Sequence, residues 1–349
     1  MSQDVAIIGA GTIGLSIAWR CAQAGLSVTV YDPHPGSGAS TVAAGMVAPV
    51  LETHFGEEPL SRLAVDSARM WPDFAAELGV ADAYRDEGTV FVGVDRADGE
   101  ELRRQLELYR DFGMACEPWT GERAREAEPM LTHQVTHALF TPDDHQVETR
   151  LVHATLLRTA ERAGVSLVRE RVDDIGTLDA ARIVVAAGSW SRRLIDLPVR
   201  PVRGQVLRLR GPAELRFTVR ARVHGKLVYV VPRQSGEVVV GATVDEAGFD
   251  VAPRAGDTSE LLRTALDVLP ELSRYELAEI NVGLRPGTPD NAPLLGATAD
   301  PRVIAATGHY RQGILLAPIT AAAITELIVS GKAPAALEPF DPQRFGTHP

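Results

Sequence analysis

Val5-Ala6-Ile7-Ile8-Gly9-Ala10-Gly11-Thr12-Ile13-Gly14 is the stretch on which the fold turns. Four apolar residues in a row, Val5 to Ile8, suit a strand buried on both faces of a parallel sheet. Gly9, Gly11 and Gly14 then spell G-x-G-x-x-G. The first glycine allows a tight turn, the second lets the backbone approach a pyrophosphate, and the third lets a helix pack on the strand. A helix-like run follows to about Ala24, ended by Gly25, and a second strand runs from Ser27 to Tyr31. Asp32, eighteen residues past Gly14, stands where an acid binds ribose hydroxyls. Strand, glycine turn, helix, strand and acid together predict a dinucleotide site, with Thr12 and Ile13 opening the helix whose unpaired amides favour the phosphates. An acid rather than an arginine argues against a phosphorylated ribose.

The chain has 349 residues, enough for two domains, and its 45% apolar and 23% charged residues are those of a globular protein with a sizeable core. Its net charge of −11 comes from mixed-sign stretches such as Arg96 to Arg104, which argues against nucleic acid or an anionic membrane as the main partner. Basic residues are almost all arginine, with lysine only at Lys226 and Lys332, so Schiff-base chemistry has two candidate positions and neither is favoured. Cys21 and Cys116 lie far apart, without a C-x-x-C spacing, which suits a reducing compartment. The start, Met1-Ser2-Gln3-Asp4, lacks the positive charge of a signal peptide. Ile314 to Val329 is apolar but interrupted by Pro318 and Glu326, and too short to span a bilayer. A cytoplasmic protein is expected, with no membrane partner.

Further elements alternate in the α/β manner. Thr149 to Ala163 reads as a helix with Val152, Leu156, Ala160 and Ala163 on one face; Ile183 to Ala187 and Arg302 to Thr307 read as strands; Ile314 to Val329 reads as the last helix. Between them Gly88 to Val94, Gln205 to Leu209, Leu227 to Val231 and Glu237 to Thr243 are β-rich and bounded by turn residues, like an antiparallel sheet. The expected architecture is α/β plus β, a Rossmann-like nucleotide-binding domain with an antiparallel-sheet substrate domain inserted in pieces. The bounds are residues 1–79, 139–198 and 286–349 for the first, 80–138 and 199–285 for the second.

The segment after the second strand separates NAD from FAD. Residues 35–49 are a run of small residues ending Ser40-Thr41-Val42-Ala43-Ala44-Gly45-Met46-Val47-Ala48-Pro49, which by composition alone could be a flexible linker. This segment resembles the flavin-contacting loop of the D-amino acid oxidase superfamily, and of its glycine oxidase branch in particular. Residues 199–208, 229–233, 238–243, 283–287 (Gly-Leu-Arg-Pro-Gly) and 308–318 (Gly-His-Tyr-Arg-Gln-Gly-Ile-Leu-Leu-Ala-Pro) resemble blocks of that branch in the same order, so the likeness covers nearly the whole chain.

The resemblance implies non-covalent FAD and an enzyme that oxidises glycine or another small amino acid by hydride transfer from the α-carbon to flavin N5. The imino acid hydrolyses to a keto acid, glyoxylate from glycine, and ammonia; molecular oxygen regenerates the flavin and yields hydrogen peroxide. It also implies that the imine can feed the thiazole half of thiamine biosynthesis. Contacts implied for the cofactor are Gly9, Gly11, Thr12, Ile13, Gly14, Asp32, Ser40, Ala44, Gly45, Met46, Val172, Gly308, His309, Tyr310, Gly313, Ile314 and Leu315. For the substrate they are Arg285, Arg311 and Tyr229. A guanidinium offers a carboxylate two parallel charge-assisted hydrogen bonds, and Pro286 biases Arg285 to an extended backbone from which it can project. The plain alternatives are a surface ion pair for Arg285 and a sheet-packing role for Tyr229. The N-terminus of the last helix would favour the charge that reduction places on the flavin ring.

No residue is expected to act as acid or base. Hydride transfer needs a neutral amine close to N5, not a strong base, so His309 is read as structural. His133 and His137 have an i, i+4 spacing, but Val135, Thr136 and Leu139 suggest extended chain, and no metal is expected. Val244 stands where relatives carry a bulky residue, which leaves pocket width open. A D-amino acid or sarcosine-type oxidase or dehydrogenase, a flavin-binding protein without turnover, and a nicotinamide reductase remain as alternatives. The family's habit of assembly leaves a homo-oligomer open.

Overall fold

The computed structural model describes residues 3–212 and 214–346. Its first layer is a six-stranded sheet in the order Leu294–Ala297, Val303–Thr307, Ala180–Val185, Gln3–Ile8, Val28–Tyr31, Ser166–Val168. All neighbours are parallel except the edge strand Leu294–Ala297, which runs antiparallel to Val303–Thr307. Val5, Ala6 and Ile7 are fully buried, as a strand covered on both faces requires. Helix Thr12–Gln23 crosses from the first strand to the second, and a Cβ on Gly14 would collide with the Gly9 carbonyl, so the third glycine of the motif is demanded by helix-to-strand contact.

The second layer is an eight-stranded sheet in the order Glu276–Gly287, Arg200–Arg210, Glu237–Gly241, Lys226–Pro232, Thr218–Val223, Thr89–Gly93, His137–Thr141, Glu117–Thr120. It is antiparallel apart from one pair: Thr218–Val223 lies parallel to Thr89–Gly93, where two separately inserted pieces of chain meet. Its core gathers Val219, Val230, Val240 and, from helix Ala255–Val268, Leu261 and Val268. The expected bounds at 139 and 286 fall inside strands His137–Thr141 and Glu276–Gly287, both of which run through this sheet. A small third sheet joins Met46–Val47, His145–Val147 and Tyr84–Arg85.

Among the helices that went unread in the sequence are Glu58–Leu78, Arg96–Asp111 and Ala255–Val268. Pro72 inside the first disguised it. The last helix begins at Ala317, not Ile314, because residues 314–316 form a turn; Pro318 sits near the helix start, where its missing N–H has no partner to lose. No described helix is long and apolar enough to cross a membrane.

Candidate active site

A cavity of about 490 Å³ runs between the two large sheets. At one end it is lined by Gly9, Gly11, Thr12 and Ile13 of the glycine turn, by Asp32, and by Val172 of the irregular segment after Ser166–Val168. Ser40, Ala44, Gly45 and Met46 line its middle, with His309, Tyr310, Gly313, Ile314 and Leu315. Tyr229, Arg285 and Arg311 close the other end. Segments spread across the chain therefore share one space. Gly14 and Gly308 are outside the lining: the first makes room between helix and strand, and the second has φ +76° with Thr288 Cγ2 2.6 Å from where its Cβ would lie. His137 and His133 lie in and before a strand of the far sheet, away from the cavity.

The glycine-turn end fits a dinucleotide. The residue before helix Thr12–Gln23 is Gly11, which has no side chain to cap it, so the positive end of the helix dipole faces the cavity. Thr12 Oγ1 is buried without a hydrogen-bond partner, an orphan that a bound ligand oxygen would satisfy. Asp32 Oδ2 accepts from Ala10 N and Oδ1 from His34 N, both at 2.8 Å, which fixes the carboxylate at the pocket wall with lone pairs to spare for hydroxyls. The Ser40 hydroxyl accepts from Thr12 N at 2.9 Å and so ties the small-residue loop to the helix start. Neither cysteine lines the cavity.

At the last helix the geometry departs from expectation in a useful way. Among the described residues, the amides of Gly313, Ile314 and Leu315 have no protein acceptor, and all three line the cavity. The turn before the helix, rather than the helix end itself, presents the donors. It is held from behind by the unread helix Glu58–Leu78: Ser67 Oγ and Trp71 Nε1 both donate to Leu315 O, at 2.6 and 3.0 Å. His309 Nε2 lies 3.1 Å from Thr320 Oγ1, and burial pulls its pKa down to about 3, so the ring is neutral across the physiological range.

Arg285 is half-buried on strand Glu276–Gly287, and its protein acceptors are two carbonyls, Thr243 O at 3.1 Å and Arg203 O at 3.5 Å. No carboxylate pairs with it among the described residues, so the surface ion-pair alternative fails. Its space is made by Gly204 on the neighbouring strand, where a Cβ would stand 2.6 Å from Arg285 Cζ. Tyr229 has the same kind of neighbour: a Cβ on Gly241 would lie 2.5 Å from Tyr229 Cε2. Burial, partly offset by the Arg285 guanidinium, pushes the Tyr229 phenol above its ordinary pKa, which keeps it a hydrogen-bond donor. Arg311 is exposed and stacks on Tyr310, its Cζ 5.0 Å from the ring centroid.

Sequence reasoning missed Glu52 and Arg220, which both line the cavity near Tyr229. Arg220 Nη1 donates to Leu51 O at 2.7 Å and to Glu52 Oε1 at 3.1 Å. Their positions 168 residues apart leave no local signal. Val244 also lines the cavity and is 55% exposed, so this wall is open.

Comparison with known proteins agrees with this geometry. The family of FAD-dependent oxidoreductases called DAO matches residues 4–327. A glycine oxidase of Geobacillus kaustophilus is 31% identical over 97% of this chain and 96% of its own length. A crystal structure of glycine oxidase from that organism superposes with a TM-score of 0.91, covering 98% of both chains at 31% identity. A bifunctional ThiO/ThiG protein of Nostoc sp. is 33% identical over 97% of this chain, which spans only 55% of that longer relative.

Proposed function

Because the chain belongs to the DAO family of FAD-dependent oxidoreductases, we propose that it oxidises glycine or a similarly small amino acid, with FAD held non-covalently along the cavity. Bound, FAD would supply a two-electron acceptor that molecular oxygen regenerates. The observation that carries the substrate assignment is Arg285, a half-buried cation with only carbonyls for partners, set beside the Tyr229 hydroxyl. A guanidinium so placed needs an anion, and a carboxylate suits its fork.

The residues divide the work. Arg285 and Tyr229 hold the substrate carboxylate; with the carboxylate fixed at one end, the α-carbon is directed along the cavity toward the 313–315 turn and the 44–46 loop. Arg311 and Glu52 form the charged rim on the substrate side. His309, neutral and bound to Thr320, takes no proton. Asp32 and the start of helix Thr12–Gln23 hold the ribose and pyrophosphate at the far end. A five-heavy-atom substrate gains at most about 7.5 kcal/mol at a ceiling of about 1.5 kcal/mol per atom, so millimolar affinity is expected.

Likeness to a bifunctional ThiO/ThiG protein and to glycine oxidases supports a setting in thiamine thiazole synthesis. The open wall at Val244 favours, as a second reading, a sarcosine or D-alanine oxidase. The deciding experiment is the anaerobic visible spectrum of the purified holoprotein with glycine, sarcosine or D-alanine added. Bleaching by glycine supports the proposal; bleaching by another amine alone supports the second reading; a yellow protein that none of them bleaches rejects both.

A further inference from the structure

The loop from Ala39 to Val47 is held by groups contributed from elsewhere in the chain, and the pattern of those bonds says more than that it is anchored. Its carbonyls are taken one after another. Thr41 O accepts from Arg208 Nη2 at 3.0 Å, Ala43 O from Thr149 Oγ1 at 2.9 Å, Ala44 O from Arg233 Nη2, and Gly45 O from Val147 N at 2.8 Å. In a trans peptide the N–H points opposite to the C=O of the same unit. Fixing the Ala43 carbonyl on Thr149 therefore turns the Ala44 N–H the other way, and fixing the Ala44 carbonyl on Arg233 does the same for the Gly45 N–H. Among the described residues neither amide has a protein acceptor, and both residues line the cavity. Unpaired backbone donors at such a place are expensive unless a ligand takes them. Two in succession make a concavity that favours negative charge.

Arg233 is itself unusual. It is 4% exposed, its other terminal nitrogen donates to Gln146 Oε1 at 2.5 Å, and its Nε has no partner. Arg208, its neighbour, is paired with Glu237, whereas Arg233 has neutral partners only. Burial draws its pKa down to about 10, which still leaves it charged at neutral pH. A buried cation without a carboxylate is costly and calls for a compensating role.

We propose that Arg233 and Thr149 are positioning residues for the cofactor: they pin two loop carbonyls outward, aim the Ala44 and Gly45 amides into the cavity as a donor pair, and place the charge of Arg233 behind that pair. Reduction of FAD adds negative charge, so fixed donors backed by a cation favour the reduced cofactor. This inference rests on the FAD assignment in the proposed function and is independent of which amine is oxidised.

The test uses Arg233→Met, Arg233→Lys and Thr149→Val, with Arg150→Met as the control, because Arg150 reaches the same sheet through Glu279 at 2.9 Å without touching the loop. The readouts are the FAD dissociation constant of the apoprotein, the visible spectrum of bound flavin, its midpoint potential, and circular dichroism for folding. Arg233→Met is expected to raise the dissociation constant about tenfold, alter the spectrum and shift the potential negative; Thr149→Val raises it about threefold. Arg233→Lys restores most of the potential, since an ammonium returns the charge, and Arg150→Met stays within about twofold of the parent. Parent-like affinity and potential in both Arg233→Met and Thr149→Val overturn the proposal, as does an equal effect of Arg150→Met. If Arg233→Met does not fold, Thr149→Val decides: unchanged FAD affinity overturns, weakened affinity supports. A protein that binds FAD but oxidises no amine removes the substrate reading and leaves these measurements intact.

Discussion

Gly204 and Arg285 occupy one space: they lie on paired strands, and a methyl group on Gly204 would stand 2.6 Å from the central carbon of the guanidinium. Arg285, proposed to bind the substrate carboxylate, is thus positioned by what its neighbour lacks. Gly204→Ala is expected to displace the guanidinium, raising KM for glycine at least about tenfold, and to cost about 1–3 kcal/mol of stability through overpacking. Steady-state kinetics and thermal melts check both, and an unchanged KM would show that the glycine does not position the guanidinium.

Arg285→Ala should lose about 3 kcal/mol of transition-state binding, on the order of a hundredfold in kcat/KM, because a charged partner of the substrate carboxylate is gone. Arg285→Lys should recover only part, since an ammonium cannot make the two-pronged contact. A loss below about threefold in the alanine variant would take Arg285 out of the site.

Thr12→Val tests the pyrophosphate end. The Thr12 hydroxyl is buried and unsatisfied in the protein alone, so its removal should leave the apoprotein as stable as before or more so. FAD binding, in contrast, should weaken by about 1 kcal/mol, roughly fivefold. Apoprotein melts and FAD titration read the two effects separately; a destabilised apoprotein with intact FAD affinity contradicts the assignment.

Asp144 underlies the substrate rim. Its carboxylate accepts from Val50 N at 2.8 Å and Leu51 N at 3.0 Å, next to Glu52, and burial raises its pKa to about 7 in spite of those donors. A carboxyl raised in the folded state holds more protons there than in the unfolded chain, so its contribution is complete below about pH 4 and is lost as pH rises through about 7. Asp144→Asn should flatten the pH dependence of Tm over that window. A variant whose slope matches the parent would show that Asp144 does not titrate there.

His309→Gln should keep the shape of the kcat/KM profile between about pH 5 and 8, whatever happens to its amplitude, because the buried ring is already neutral there. Loss of a limb near pH 6 on substitution would mean that His309 does exchange a proton.

The nucleotide half was legible because its signals are local. Val5 to Ile8, Gly9, Gly11, Gly14 and Asp32 are set by the needs of one strand, one turn and one helix start, and the structure puts that strand in the middle of the parallel sheet and the turn and acid at the cavity. Arg285 and Tyr229 were named through resemblance, and their neighbours were not. What Gly204 and Gly241 do is visible only in the fold, where side chains from adjacent strands fill the space a Cβ would take. No role was assigned to Arg208 or Arg233 individually, because their acceptors, carbonyls of the Ala39–Val47 loop, lie 167 and 189 residues away.

By itself, then, the sequence determined the nucleotide-binding end, whose requirements repeat at fixed short spacing along the chain: buried strand, tight turn, close packing, acid. Tertiary structure alone decided what surrounds Arg285 and Tyr229 and the pose of the loop between the two ends. There the determining quantities are missing Cβ atoms, captured carbonyls and unpaired amides. Each is a relation between segments distant in sequence that exists only once the whole chain has folded.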